Sequence, residues 1–323
     1  MSELSFTGPL RRAWTRTQLI LFSPFDAGKW LVMGFTAWLA SLAEGGTSGN
    51  IGFEYGPDLL DKDWSDLARS TAERSRELLE TGLEIFVIFF LFVVIVLVCL
   101  LVLWLSARGS FMFLDNVVHN RAQVSAPWRR YARQGDSLFL WYILFSLAIL
   151  VTVGSLILAS ILMVVPLLDD NVGRGVGVAG MIFIGSLLVL LGVAVAFVSM
   201  LVDHFVVPLM FKHDLTVTAA WRLFLPLLQQ HPGSFVLYGL FFLALYIAVI
   251  VGVVAIGVMT CCAGLLIVAI PYLGTVLLLP LYVTARGLGP EFLAQFGSEF
   301  SLCEDFPENR PPPAATEPPA TGV

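Results

Sequence analysis

Long apolar runs separated by short charged stretches dominate the chain. Ile85 to Leu105 is apolar without interruption, and neither Leu138 to Leu168 nor Gly175 to Val202 contains Asp, Glu, Lys or Arg. Leu223 to Ala285 is also free of these residues, enough for two crossings at about 20 residues each. A shorter run, Gly28 to Ala43, is read as one further crossing. The pattern predicts an all-α, polytopic membrane bundle of about six transmembrane helices. Barrel strands would instead alternate apolar and polar positions over about ten residues.

The polar breaks between these runs repeat. Val124-Ser125-Ala126-Pro127-Trp128-Arg129 returns as Val217-Thr218-Ala219-Ala220-Trp221-Arg222, and Trp104-Leu105-Ser106-Ala107-Arg108-Gly109 as Tyr282-Val283-Thr284-Ala285-Arg286-Gly287. Ala13-Trp14 with Arg16 reads as a third, degraded copy of the first word. Three parallel units of about residues 10–107, 111–211 and 216–296 are therefore expected, each a basic amphipathic helix followed by a helical hairpin. They compose a helical membrane domain over residues 1–302. The Pro-rich segment 303–323 is expected to be a disordered cytosolic tail. Residues 44–84 form an acidic outer loop, with a helix expected from about Asp63 into the second span.

Composition agrees with this reading. Hydrophobic residues make up 58% of the chain against 13% charged, with a mean hydropathy of +0.86, far from a soluble domain. No cleavable signal peptide is expected, because Arg11, Arg12 and Arg16 crowd the N-terminal segment. With the N-terminus in the cytosol and six crossings, only Lys62, Arg69, Arg74, Arg76 and Arg174 of the 18 Lys and Arg fall outside. That distribution satisfies the positive-inside rule and predicts a multi-pass plasma (inner) membrane protein with both termini cytosolic. Scattered basic residues argue against nucleic acid. The four cysteines lack metal-ligand spacing, and no cofactor is implied.

Candidate chemistry is sparse. Gly175-Val176-Gly177-Val178-Ala179-Gly180 matches a dinucleotide-binding pattern literally, but no strand precedes it. The Ser48 of Gly46-Thr47-Ser48-Gly49 has no histidine on its side of the membrane to act as base. The sharpest candidates are Asp115 and His119, four apart on one helical face, with Asp203 and His204 at the end of the fourth span. Imidazole and carboxylate ligands converging from two loops would suit a divalent cation. Against this, interfacial polar residues need no metal, and Asp203 is also placed to cap a helix or pair with Arg108 or Arg121. Trp14, Arg16, Trp128, Arg129, Trp221 and Arg222 are read as interfacial anchors. Phe111, Leu114 and Val118 are read as the apolar face of a headgroup-layer helix that draws anionic lipid with Arg121, Arg129, Arg130 and Arg133. Ala244, Ala248 and Gly252 suggest close helix packing.

Leu21-Phe22-Ser23-Pro24-Phe25-Asp26 with Gly28-Lys29-Trp30, Ser106-Ala107-Arg108-Gly109, Phe113-Leu114-Asp115-Asn116 and Phe205-Val206-Val207-Pro208-Leu209-Met210 carry a resemblance. The chain from about residue 10 to 300 resembles a family of uncharacterised prokaryotic six-span membrane proteins. It is also similar to the integral-membrane region of glycerophosphodiester phosphodiesterases. The catalytic barrel of those enzymes, with its metal ligands, is absent here, so the resemblance implies fold and location without hydrolase activity. The sequence supports first a non-enzymatic protein that organises membrane components, with membrane lipids as partners and protein partners met through the cytosolic helices or the outer loop. A transporter or lipid-handling permease comes second and a metal-dependent membrane enzyme third. Nothing in the sequence specifies an oligomeric state.

Overall fold

A computed structural model describes residues 5–42, 71–164, 174–260 and 263–302. The acidic loop before residue 71 and the tail from residue 303 lie outside the described residues. Regular structure among the described residues is helical throughout. In chain order the helices are α1 (Thr7–Phe22), α2 (Ala27–Ser41), α3 (Thr71–Val118), α4 (Ser125–Arg130), α5 (Ala132–Val164) and α6 (Arg174–Leu201). A π-helical segment, Val202–Val206, joins α6 to α7 (Val207–His213). There follow α8 (Val217–Gln230), α9 (Pro232–Met259), α10 (Ala263–Ala269), α11 (Leu273–Leu277) and α12 (Leu279–Leu293).

The molecule divides into a packed layer and four bare helices. Among the described residues, apart from Ile184, every buried hydrophobic side chain lies in α1, α2, α4 to α5 before Leu140, the C-terminal ends of α3 and α6, the π segment, α7, α8, the start of α9, or α11 to the final 3-10 turns. At its centre Phe205 contacts Phe224 (5.5 Å), Phe235 (5.1 Å) and Tyr238 (4.9 Å), and Tyr238 packs 4.7 Å from Phe292. A second cluster holds Ile20, Leu21, Met33, Phe113 and Val283 between α1, α2, α3 and α12. Away from this layer Ile85 to Val98 is exposed on every side of α3. In water such exposure would cost about 25 cal/mol for each Å² of apolar surface; in hydrocarbon it costs nothing.

Among the described residues four helical stretches are long and apolar enough to cross a membrane: Ile85–Val118, Ala132–Leu162, Ile182–His213 and Pro232–Met259. This corrects the expectation of six. The stretch at 28–43 yields only the 15-residue α2, about 22 Å at 1.5 Å per residue against a hydrocarbon core near 30 Å. Moreover, α2 is committed to packing. Its Ala40 carbonyl accepts a bond from the Ser106 hydroxyl at 2.7 Å, and a Cβ on Gly109 would meet the α2 backbone at 2.7 Å, so only glycine permits this crossing of α2 and α3. The last apolar stretch is broken into α10, α11 and α12. Pro271 and Pro280 each lack an N–H and disfavour helical geometry in the residue before them, and Tyr272 sits at φ +68°.

Two further expectations change, and one rejected match stays rejected. Phe111 and Leu114 are fully buried at the end of the continuous α3, so they belong to the core and not to a headgroup-layer helix. Ala244 and Ala248 are exposed, and a Cβ on Gly252 would meet open space; this stripe mediates no helix packing here. The Gly175 to Gly180 stretch is helical backbone within α6, which cannot form the dinucleotide-binding turn.

Candidate functional site

The chemistry-bearing residues gather where the bare helices enter the packed layer, and Pro208 organises this point. A proline at position 208 offers no N–H to the His204 carbonyl, and its ring crowds that carbonyl in a regular α-helix. The helix responds by widening, with the Val207 N–H reaching back to the Val202 carbonyl. Such π segments recur at functional sites. Gly289 of α12 then closes over the released carbonyl, so tightly that a Cβ there would lie 2.1 Å from His204 O.

Asp203 and His204, carried by this segment, face partners from three other helices. The Tyr142 hydroxyl of α5 donates to Asp203 Oδ1 at 3.1 Å, and His204 Nδ1 shares a 2.7 Å hydrogen bond with the Tyr238 hydroxyl of α9. Phe242 packs edge-on to the imidazole at 4.3 Å. Arg286 of α12 lies within electrostatic reach of both Asp203 and His204. Its Nη2 donates to the Ser110 carbonyl of α3 at 2.9 Å, while its Nε is buried without an acceptor. The expected pairing of Asp203 with Arg108 or Arg121 is replaced by this arrangement. Because α6, the π segment and α7 form one continuous helix, two ionisable groups sit inside a stretch read as able to cross a membrane.

Asp115 and His119 form a different group. His119 Nδ1 lies 3.1 Å from Asp115 Oδ1, and the Tyr131 hydroxyl donates to the same oxygen at 3.2 Å. Burial, reinforced by the Asp115 charge, pushes the Tyr131 phenol well above its ordinary pKa. Among the described residues no three His, Cys, Asp or Glu side chains gather as a metal site would require. Asp115 and His119 thus stay with Tyr131, and Asp203 and His204 with Tyr142, Tyr238 and Arg286.

The anchor residues separate as well. Trp14 is 42% exposed, and Arg129 and Arg222 are exposed. Arg16, however, is buried and pairs with the buried Glu291 at 3.3 Å, next to an Arg12–Glu291 contact at 2.7 Å. It ties α1 to α12 and is no surface anchor. Trp128 packs edge-on to Trp104 at 5.4 Å, and the Arg108 guanidinium sits over both rings at 5.1 and 4.4 Å while pairing with Asp136. Trp221 leans on Phe224 at 5.8 Å with its indole N–H buried and unpartnered.

Residues 6–297 match the model of a family described as "Family of unknown function (DUF7544)". The chain belongs to this family. Neither curated proteins nor solved structures gave a match, and no link to glycerophosphodiester phosphodiesterases emerges from these comparisons. Sequence reasoning selected Asp203 and His204 but missed Tyr142, Tyr238 and Arg286 as their companions. One signal was present: Arg286 is the first charge after the long neutral stretch from Leu223, and an isolated cation in such a run calls for a partner.

Proposed function

We propose that this chain is a non-enzymatic plasma-membrane protein that binds and organises lipid, or a protein partner held at the membrane surface, with both ends of its helical domain cytosolic. The observation that carries the reading is the division of the molecule. Four helices offer apolar surface on nearly every side, while the layer at their base exposes Trp14, Phe22 and Phe25 together with Arg11, Arg129, Arg130, Arg133 and Arg222. Aromatic rings and guanidinium groups side by side suit the headgroup region, where each basic residue near an anionic surface contributes about 1 kcal/mol. The three-unit repeat belongs to this proposal: its Trp-Arg words fall on α1, α4 and α8, of which α4 and α8 lead into the long helices α5 and α9 while α1 leads into the short α2.

Native mass spectrometry of the detergent-solubilised full chain tests the reading. Retained phospholipid enriched in anionic species is expected, and Arg129→Gln, Arg130→Gln and Arg133→Gln together should lower the anionic share. Wild-type protein that flies free of lipid, under conditions that keep lipid on a control membrane protein, would sink it. A second reading, transport, is favoured by one observation, the placement of Asp203 and His204 within a continuous apolar helix, since such groups mark solute and proton pathways. Proteoliposomes enclosing a pH-sensitive dye would then dissipate an imposed pH gradient faster with wild type than with Asp203→Asn; equal rates reject it.

A further inference from the structure

We propose that the acidic word Glu304-Asp305-Phe306-Pro307-Glu308 of this chain docks on the basic face formed by α4 and the start of α5, and that anionic lipid displaces it. The exchange rests on the lipid-binding reading above and adds its regulation; the docking stands apart from that reading.

The face is a set of arginines without counter-charges. Arg121, Arg129, Arg130 and Arg133 are exposed, and among the described residues none of them pairs with a carboxylate. The carboxylates of the neighbouring helices are engaged elsewhere: Asp136 by Arg108, Asp115 by His119 and Tyr131, and Asp214 by Gln134. Three of the four arginines fall within five residues, so the face repels itself and favours an acidic occupant.

The chain delivers such an occupant to this place. The described chain ends at Leu302, which packs against the core, and the Lys212 ammonium of α7 holds the Ser301 carbonyl at 2.7 Å. On one side of Lys212 in the sequence, Phe211 packs 4.9 Å from Tyr131, over whose ring the Arg130 guanidinium sits at 5.4 Å. On the other, Asp214 accepts a 3.1 Å bond from Gln134, the neighbour of Arg133. The end of α7 thus joins the point where the chain leaves the packed layer to the junction of α4 and α5. At up to about 3.6 Å per residue, Glu304 lies within roughly 11 Å of Ser301 and Glu308 within roughly 25 Å. Three carboxylates in five residues meet three arginines in five.

The chemistry suits exchange and not permanent closure. A carboxylate meets a guanidinium through two parallel bonds, Phe306 offers a ring to a neighbouring guanidinium, and a segment tethered this closely is presented at about millimolar concentration. Each exposed pair is nevertheless weak and screened by salt, comparable to what a basic residue gains at an anionic bilayer surface. A membrane rich in acidic headgroups sets many charges against three carboxylates and takes the face, while a neutral membrane leaves the segment in place.

The test places a photo-crosslinker in the segment, Phe306→p-benzoylphenylalanine, in full-length protein held in phosphatidylcholine nanodiscs, with crosslinks mapped by mass spectrometry. They should concentrate on residues 121–133, and nanodiscs rich in phosphatidylglycerol should remove most of them. Arg129→Glu, Arg130→Glu and Arg133→Glu together should lower them by about tenfold, as expected for losing three exposed pairs. Adding Glu304→Lys, Asp305→Lys and Glu308→Lys should restore them, a rescue that a damaged fold would not give. Should the arginine variant fail to fold, Glu304→Gln, Asp305→Asn and Glu308→Gln, outside the packed layer, should give the same loss by themselves. Crosslinks spread over the whole layer, or unmoved by these charge changes, overturn the docking; crosslinks indifferent to phosphatidylglycerol overturn the exchange. Anionic lipid retained in native mass spectrometry without the crosslink leaves the lipid-binding reading standing, whereas the crosslink without retained lipid rejects that reading and the exchange with it.

Discussion

Gly289→Ala and Gly252→Ala are the same chemical change with opposite expected results. At Gly289 the new methyl carbon would stand 2.1 Å from the His204 carbonyl oxygen, 2.8 Å from its carbon and 3.0 Å from its Cα. All three are backbone atoms, so no side-chain rotation relieves the clash. Either the π segment or α12 must retreat by more than 1 Å, and each is held: Phe205 and Phe292 flank the contact and are fully buried. Overpacking of this kind costs about 1–3 kcal/mol, and a rigid obstacle places the cost near the top of that range. At Gly252 a methyl group meets nothing within 4 Å, so only the better helix propensity of Ala remains, worth up to about 1 kcal/mol in favour of folding. For a chain of this size about 3 kcal/mol corresponds to a fall in Tm of roughly 6–12 °C. Both variants and wild type would be heated in one detergent at one scan rate, following far-UV circular dichroism, because unfolding of such proteins is often irreversible and the apparent Tm depends on rate. If Gly289→Ala melts with wild type, the close approach of α12 to the π segment is wrong and the site built on it falls.

Three further outcomes are expected. Glu291→Gln removes the carboxylate that meets both the buried Arg16 and Arg12, and the loss of charge-assisted bonds should cost about 1–3 kcal/mol, read as loss of thermal stability; a Tm equal to wild type would contradict the pairing. Tyr131 keeps its proton to higher pH when folded than when unfolded, so its contribution is complete below the unfolded phenol pKa near 10 and is lost as pH rises through that window. Wild-type stability should therefore fall faster than that of Tyr131→Phe between about pH 10 and 11.5, and parallel curves would refute this. Trp221→Phe deletes a buried indole N–H without an acceptor and keeps the ring on Phe224, so stability should stay within about 1 kcal/mol of wild type or rise; a larger loss by the same melting assay would reveal an acceptor for that N–H.

How far the sequence reaches is clearest at α2 and α3. Apolar runs announced all four long helices, because hydrophobic length alone decides whether a helix can cross. They misjudged Gly28 to Ala43, since an apolar face looks alike whether lipid or another helix covers it; the Gly109 contact with α2, which decides the matter, joins positions about 70 residues apart. Phe111 and Leu114 failed for the same reason. At the candidate site, Asp203 and His204 were visible because polar residues at the end of an apolar run stand out. Tyr142, Tyr238 and Arg286 were not, because α5, α9 and α12 meet the π segment only through the tertiary fold. Arg16 shows the converse: a repeat word suggested a surface role, and a glutamate 275 positions later in the chain takes it into the interior.

That ion pair has a consequence for the chain as it is made. The bond from Arg12 to Glu291 spans 279 positions, and at about 5–20 residues per second a ribosome needs roughly 14–56 s to cover them. Throughout that interval α1 exists with its three arginines and without the Glu291 carboxylate that Arg12 and Arg16 meet in the finished fold. Its early resting place must accept positive charge. The packed layer can therefore close only when α12 emerges, and a nascent chain arrested before Glu291 should remain open to proteolysis in α1, whereas one released after Phe292 should be protected.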